Sequence, residues 1–274
     1  MKIPKIIMEN KDKIIMDKSN KDKTILSLCS GTGSWEKPYV EAGYNVISIT
    51  LPYYDINLTR IEDDRLTFCS PNGNGHSDIA PLIIAKQNVY GILAAPPCTM
   101  FSFARTNAKK PRDLKEGMEC VRTCLDIIWS CLEIKQDTTK KTLPLKFWVL
   151  ENPYFGFLKN FLGKPAFIFD PWEFGDGYQK RTALWGNFNE PTKNPIPMTE
   201  EAKAKAKTNS YLHTMGNSTN RGKPPSIWAE KDLIKFDMLA SKDIHSEAFG
   251  CWDRQARRSI TPARFAKAFF ESNL

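Results

Sequence analysis

The sequence has no long hydrophobic run. No apolar stretch approaches the roughly 18 residues of a membrane-spanning helix, so a helical membrane protein is not expected. A secretory pattern is also missing. Residues 1–23 are rich in lysine, but acids are mixed in and no apolar core follows, so they read as a charged leader. A soluble, cytoplasmic protein is the expectation. Zinc-type spacing is absent as well. Cys120, Cys124 and Cys131 follow helical intervals that group them near one helix face, where cysteine acts as a small apolar residue. Zinc would want tighter pairs with histidine or further cysteine in loops, so no metal is expected. The seven cysteines are odd in number, and 274 residues is too long for a disulfide-held scaffold, so reduced thiols are expected. No internal repeat is visible.

What is present is ordinary for a globular chain: 41% hydrophobic and 26% charged residues. The length allows one α/β domain with a small appendage. A net charge of +8 suits a polyanionic partner, because lysine and arginine on phosphates release condensed counterions. A merely solvated surface would give the same charge.

Short apolar runs alternate with helical patterns. Residues 24–29, 45–50, 89–95 and 147–151 read as strands, the last stopped at Pro153. A helix is expected from Ser34 towards Ala42, ended by Gly43. A second is expected over 111–135, through Leu114, Met118, Val121, Leu125, Ile128 and Leu132. A third starts at Thr261-Pro262. This order implies an α/β fold with a doubly wound, mostly parallel sheet. Residues 24–186 read as the main α/β domain, and 187–257 as a small irregular region rich in Asn, Pro, Lys and Ser. Residues 258–274 are expected to return to the main domain as a helix.

Three stretches carry chemistry. Gly31 and Gly33 follow the first strand, where a bare backbone and helix-start amides can approach a ligand. Cys98 follows Pro96-Pro97 at the end of another strand, which presents a thiol rigidly for nucleophilic attack. Glu151 ends an apolar strand, where partial burial raises a carboxyl pKa towards that of a proton donor near neutrality. Read singly, these are also a turn, a buried thiol and a solvated strand end.

In their order the stretches resemble the DNA cytosine-5 methyltransferase family. The glycine turn looks like its cofactor loop, Pro96-Pro97-Cys98 with Phe101-Ser102 like its nucleophile motif, and Glu151-Asn152 like its glutamate–asparagine motif. Gln179-Lys180-Arg181 resembles the start of Gln-x-Arg-x-Arg, and Arg258-Ser-Ile-Thr261-Pro262 resembles Arg-x-Leu-Thr-Pro. The resemblance implies a Rossmann-like, S-adenosylmethionine-dependent enzyme that swings cytosine out of duplex DNA. Cys98 then adds to ring carbon 6, Glu151 engages the ring nitrogen, and carbon 5 is methylated. Arg181 would steady Glu151. Cofactor contacts are implied at Cys29, Ser30, Gly31, Thr32, Gly33, Thr50, Leu51, Asp55 and Pro96. DNA contacts are implied at Ser102 and Gln179.

The sequence departs from the family where its second arginine falls on Ala183, its ribose-binding acid on Thr50, and its cofactor-loop phenylalanine on Cys29. No closing Gly-Asn segment follows Phe270; Met215-Gly216-Asn217-Ser218 resembles it out of order. Target recognition would belong to 187–257, with Lys203, Lys205, Lys207, Arg221, Lys223, Trp228 and Trp252 as candidates for phosphate and base contacts. Two other readings stay open here. One is a non-catalytic nucleic-acid-binding protein on the same fold. The other is a methyltransferase acting on another cytosine-containing substrate.

Overall fold

Thr24–Leu28 (β1) and Val89–Ala94 (β6) are apolar throughout or nearly so, as strands covered on both faces must be. They pair in parallel at the centre of a six-stranded sheet. A computed structural model describes residues 20–71, 79–103, 110–132, 145–175, 180–195 and 260–274. Gln179, Lys203, Lys205, Lys207, Arg221, Lys223, Trp228, Trp252, Arg258 and the segment 215–218 lie outside the described residues, as do residues 1–19 of the charged leader.

The chain between these strands runs through α1 (Lys37–Glu41), β2 (Asn45–Ile49), β3 (Asp55–Ile61), β4 (Arg65–Cys69) and β5 (Leu82–Ala85). After β6 come α2 (Leu114–Leu132), β7 (Phe147–Pro153), α3 (Lys159–Leu162), β8 (Phe167–Phe169), β9 (Thr182–Asn187) and α4 (Ala263–Ser272). The main sheet has the order β2-β1-β6-β7-β9-β8. Its first four strands are parallel, while β9 runs antiparallel to both neighbours. The protein is thus α/β with a mixed, mostly parallel sheet. No helix among the described residues is long and apolar enough to cross a membrane.

Strand alternation splits the core into two layers. Leu26, Leu28, Ile92, Ala94 and Leu150 face α2 and the small sheet. Ile25, Leu93, Phe147 and Val149 face the aromatic layer of α1 and α4. There Phe265 stacks on Phe169, with ring centroids 3.9 Å apart. Phe269 meets Trp35 edge-on at 5.6 Å. Each ring so buried stabilises by about 1.5–3 kcal/mol, which holds the C-terminal helix on the sheet.

Three expectations are corrected. The first helix starts at Lys37 rather than Ser34. A start at Ser34 would need a hydrogen bond from the nitrogen of Pro38, which has no N–H. The buried stripe of α2 runs through Val121, Cys124, Ile127, Ile128 and Cys131, leaving Leu132 exposed. An antiparallel sheet, β3-β4-β5, also lies between β2 and β6, where no structure was expected. It buries Ile56, Leu66, Phe68 and Ile84 and leans on α2, where Asn57 donates to Cys120 Sγ at 3.4 Å and accepts from Thr123 Oγ1 at 3.3 Å.

Candidate active site

The register of the parallel strands brings the three chemical stretches to one edge. Leu28 pairs with Ile49 on one side and Ala94 on the other, and Ala94 pairs with Leu150. Thr50, Cys29 and Ala95 therefore leave three adjacent strands at the level of Glu151, which lies within β7, two residues before its end at Pro153. With strands about 4.8 Å apart, β1 and β7 lie about 10 Å from each other. The chain crosses from β1 to β2 on one side and fills β6 and β7 on the other, so the strand order reverses between β1 and β6. Open α/β sheets bind ligands above such a reversal.

The loop after β1 is built on left-handed backbone. Cys29 has φ 57°, Gly31 59° and Gly33 71°. For a non-glycine residue such as Cys29 this conformation is uncommon and tends to cluster at functional sites. Cys29 N–H donates to Ile49 carbonyl at 2.8 Å, and Gly31 N–H to Thr50 Oγ1 at 3.3 Å. Thr50 thus ties the loop to β2. Ser34 Oγ lies 2.8 Å from Thr32 Oγ1 and accepts Thr261 N–H at 2.8 Å, linking the loop to the start of α4.

Beneath the loop lies a buried carboxyl that sequence reasoning missed. Glu36 Oε1 accepts Ser48 Oγ at 2.9 Å, and burial raises its pKa. Glu36 Oε2 and Trp35 Nε1 are buried without hydrogen-bond partners. Such groups are rare in folded cores and often accompany a functional site. The approach to Gly33 is open: a Cβ there would meet only Glu36 Oε1, at 3.8 Å. Leu51 is 60% exposed beside it. Asp55 opens β3 and accepts Asn57 N–H at 2.9 Å. A bare glycine cradle, an exposed apolar side chain and nearby unpaired buried polar atoms fit an adenosyl cofactor.

Cys98 sits in a turn fastened from three directions. Its carbonyl accepts the N–H groups of Phe101 at 3.0 Å and Ser102 at 2.9 Å. The buried amide of Asn152 donates to Pro96 carbonyl at 3.0 Å. Arg112 donates to the carbonyls of Met100 and Ser102, the latter at 3.0 Å. Gly117 of α2 lets the helix close on the turn, since a Cβ there would come within 2.7 Å of Met100 Cβ. Cys98 itself is half-buried.

Glu151 is half-buried, and desolvation raises its pKa, with the charge of Lys180 opposing. Lys180 also donates to Ile260 carbonyl at 3.2 Å. Arg181, expected beside Glu151, is paired elsewhere: its Nη1 is 3.5 Å from Asp170 Oδ2. The register explains this. Glu151 lies opposite Leu184, and Tyr154 N–H donates to Arg181 carbonyl at 3.0 Å. An odd three-residue offset puts Arg181 on the other face of the ribbon from Glu151. Asp170 is buried, with Oδ1 unpartnered, and desolvation pushes its pKa up to about 6 despite Arg181.

No protein-family model and no curated protein matches the chain. Cys29 packs against α2, and its hydrogen bond to Cys124, followed by burial, pushes that thiol's pKa well up. Among the described residues no group of three or more His, Cys, Asp or Glu is arranged to hold a metal ion.

Proposed function

We propose that this chain is a Rossmann-like, S-adenosylmethionine-dependent methyltransferase that modifies carbon 5 of cytosine in DNA. The observation that carries the reading is the shared level of Leu28, Ala94 and Leu150, from which the glycine loop, the Cys98 turn and Glu151 all emerge. Cofactor loop, nucleophile and acid then share one edge, at the strand-order reversal.

Gly31, Gly33 and Leu51 would hold the cofactor. Bound there, S-adenosylmethionine supplies an electrophilic methyl group. The chain's own residues do the rest. The Cys98 thiolate adds to carbon 6 of cytosine, which moves electron density to carbon 5. Glu151, whose pKa burial raises, is the group that would share a proton with the ring nitrogen while that density builds. The charge of Lys180 opposes that rise. After the proton on carbon 5 leaves to a base, the Cys98–carbon 6 bond breaks and the thiolate is restored. Asn152 and Arg112 hold the Cys98 turn still while the bond forms and breaks.

The experiment is incubation with methyl-labelled S-adenosylmethionine and DNA, followed by nucleoside analysis. Label in 5-methylcytosine, lost in Cys98→Ser, supports the reading. Label in another nucleoside, or none from a protein that binds both ligands, overturns it.

A further inference from the structure

The mouth of the site carries aromatic surface that the core does not use. The turn after β7 runs antiparallel to the turn after Cys98, joined by a bridge between Ser102 and Gly156. Phe103 N–H donates to Phe155 carbonyl at 3.1 Å, and Phe157 N–H to Phe101 carbonyl at 3.0 Å. This register sets Phe103 opposite Phe155. Directly opposed residues project to one face with Cβ atoms about 4.5–5.5 Å apart.

Both rings are open to solvent, Phe103 at 46% and Phe155 at 47% exposure. Their backbone is fixed by the hydrogen bonds that fix Cys98, and Phe103 rests edge-on against Phe157 at 4.9 Å. Cations line the same turn. Lys159 Nζ stands 4.4 Å and the Arg181 guanidinium 5.5 Å from the ring centre of Tyr154. Exposed rings interleaved with cations match the two halves of a nucleotide: rings stack on bases and cations meet phosphates.

We propose that Phe103 and Phe155 form a stacking platform for unpaired bases next to the target, with Lys159 and Arg181 meeting the strand's phosphates. This rests on the reading of Cys98 as the nucleophile of a nucleic-acid enzyme, and it makes a strand with unpaired bases the ligand of the mouth. Stacking is tolerant of base identity, so the platform adds affinity rather than sequence preference, about tenfold or more per base.

The test is fluorescence anisotropy of the full chain with two labelled oligodeoxynucleotides of equal length and phosphate number. One carries all its bases; the other has abasic sites on both sides of one cytosine. Two stacked bases are missing from the second, so the wild type should prefer the first by about a hundredfold. Phe103→Ala/Phe155→Ala should bind both alike, with unchanged salt dependence. Phe103→Trp/Phe155→Trp should keep the preference, which separates lost stacking from lost folding. Cys98→Ser should also keep it, because the platform needs no covalent step. Equal binding of both strands by the wild type, binding of neither, or full preference in the alanine variant would each overturn the platform. Failed methyl transfer with the preference intact would instead sink the proposed reaction alone.

Discussion

The buried amide of Asn152 donates to the carbonyl of Pro96 at 3.0 Å, two residues before Cys98. One side chain near the end of β7 thereby ties down the turn that carries Cys98 after β6. Asn152→Ala leaves that carbonyl without its donor. It should cost about 1–3 kcal/mol of stability, read by urea denaturation. It should also slow single-turnover methyl transfer while leaving cofactor affinity unchanged. Unaltered stability and rate would mean that the turn is held without Asn152.

Gly33 has φ 71°, and the space beyond its α carbon is open. Gly33→Val adds a branched side chain in a conformation that costs about 1–2 kcal/mol, directed into the cradle. Calorimetry should find S-adenosylmethionine binding lost while the folded far-ultraviolet spectrum is kept. Wild-type affinity would remove the cradle from the account.

Glu151→Gln keeps the shape of the carboxyl group but cannot release or regain its proton. The chemical step should slow by at least about tenfold, with DNA and cofactor binding preserved. Lys180→Met removes the charge that lowers the Glu151 pKa. It should shift the alkaline limb of the rate profile to higher pH. An unmoved limb would mean that a different group controls the step.

Asp170 gives a stability prediction. Its pKa is raised from 3.8 to about 6, chiefly by burial, so the folded chain binds this proton more tightly than the unfolded chain does. Stability from this group is full below pH 3.8 and falls as pH rises towards about 6. Asp170→Asn cannot ionise and should flatten that part of the slope. Glu36 and Glu151 are shifted in the same direction and should leave a residual slope. Urea unfolding at pH 4, 5, 6 and 7 checks this, and identical slopes in variant and wild type would refute it.

The parallel half of the fold was legible because β1, β6 and the first part of β7 are largely buried and read as short, mostly apolar runs. The small sheet was not. β3 buries only Ile56, and its alternation is masked by Asn57, Thr59 and Arg60. Cys98 and Glu151 stood out in the sequence as polar groups close to the ends of apolar strands, and the pairing of β6 with β7 sets those strands side by side. Glu36 was not, because its burial and its hydrogen bond from Ser48, 12 residues on, arise only when the chain folds. The partner of Arg181 was not legible either. It depends on β9 running antiparallel to β7 and on the register that faces Leu184, rather than Arg181, to Glu151. Asp170, 11 residues before Arg181, joins it only because β8 and β9 fold into a hairpin.

In the proposed reaction Cys98 forms a bond to carbon 6 of cytosine during methyl transfer. DNA containing 5-fluorocytosine tests it directly, because the fluorine on carbon 5 cannot leave as a proton does and the adduct is held. With S-adenosylmethionine present, a denaturation-resistant protein–DNA species is expected, mapped to Cys98 by mass spectrometry and absent in Cys98→Ser. A wild-type protein that binds this DNA and the cofactor yet forms no adduct, or one whose adduct maps to another cysteine, would contradict it.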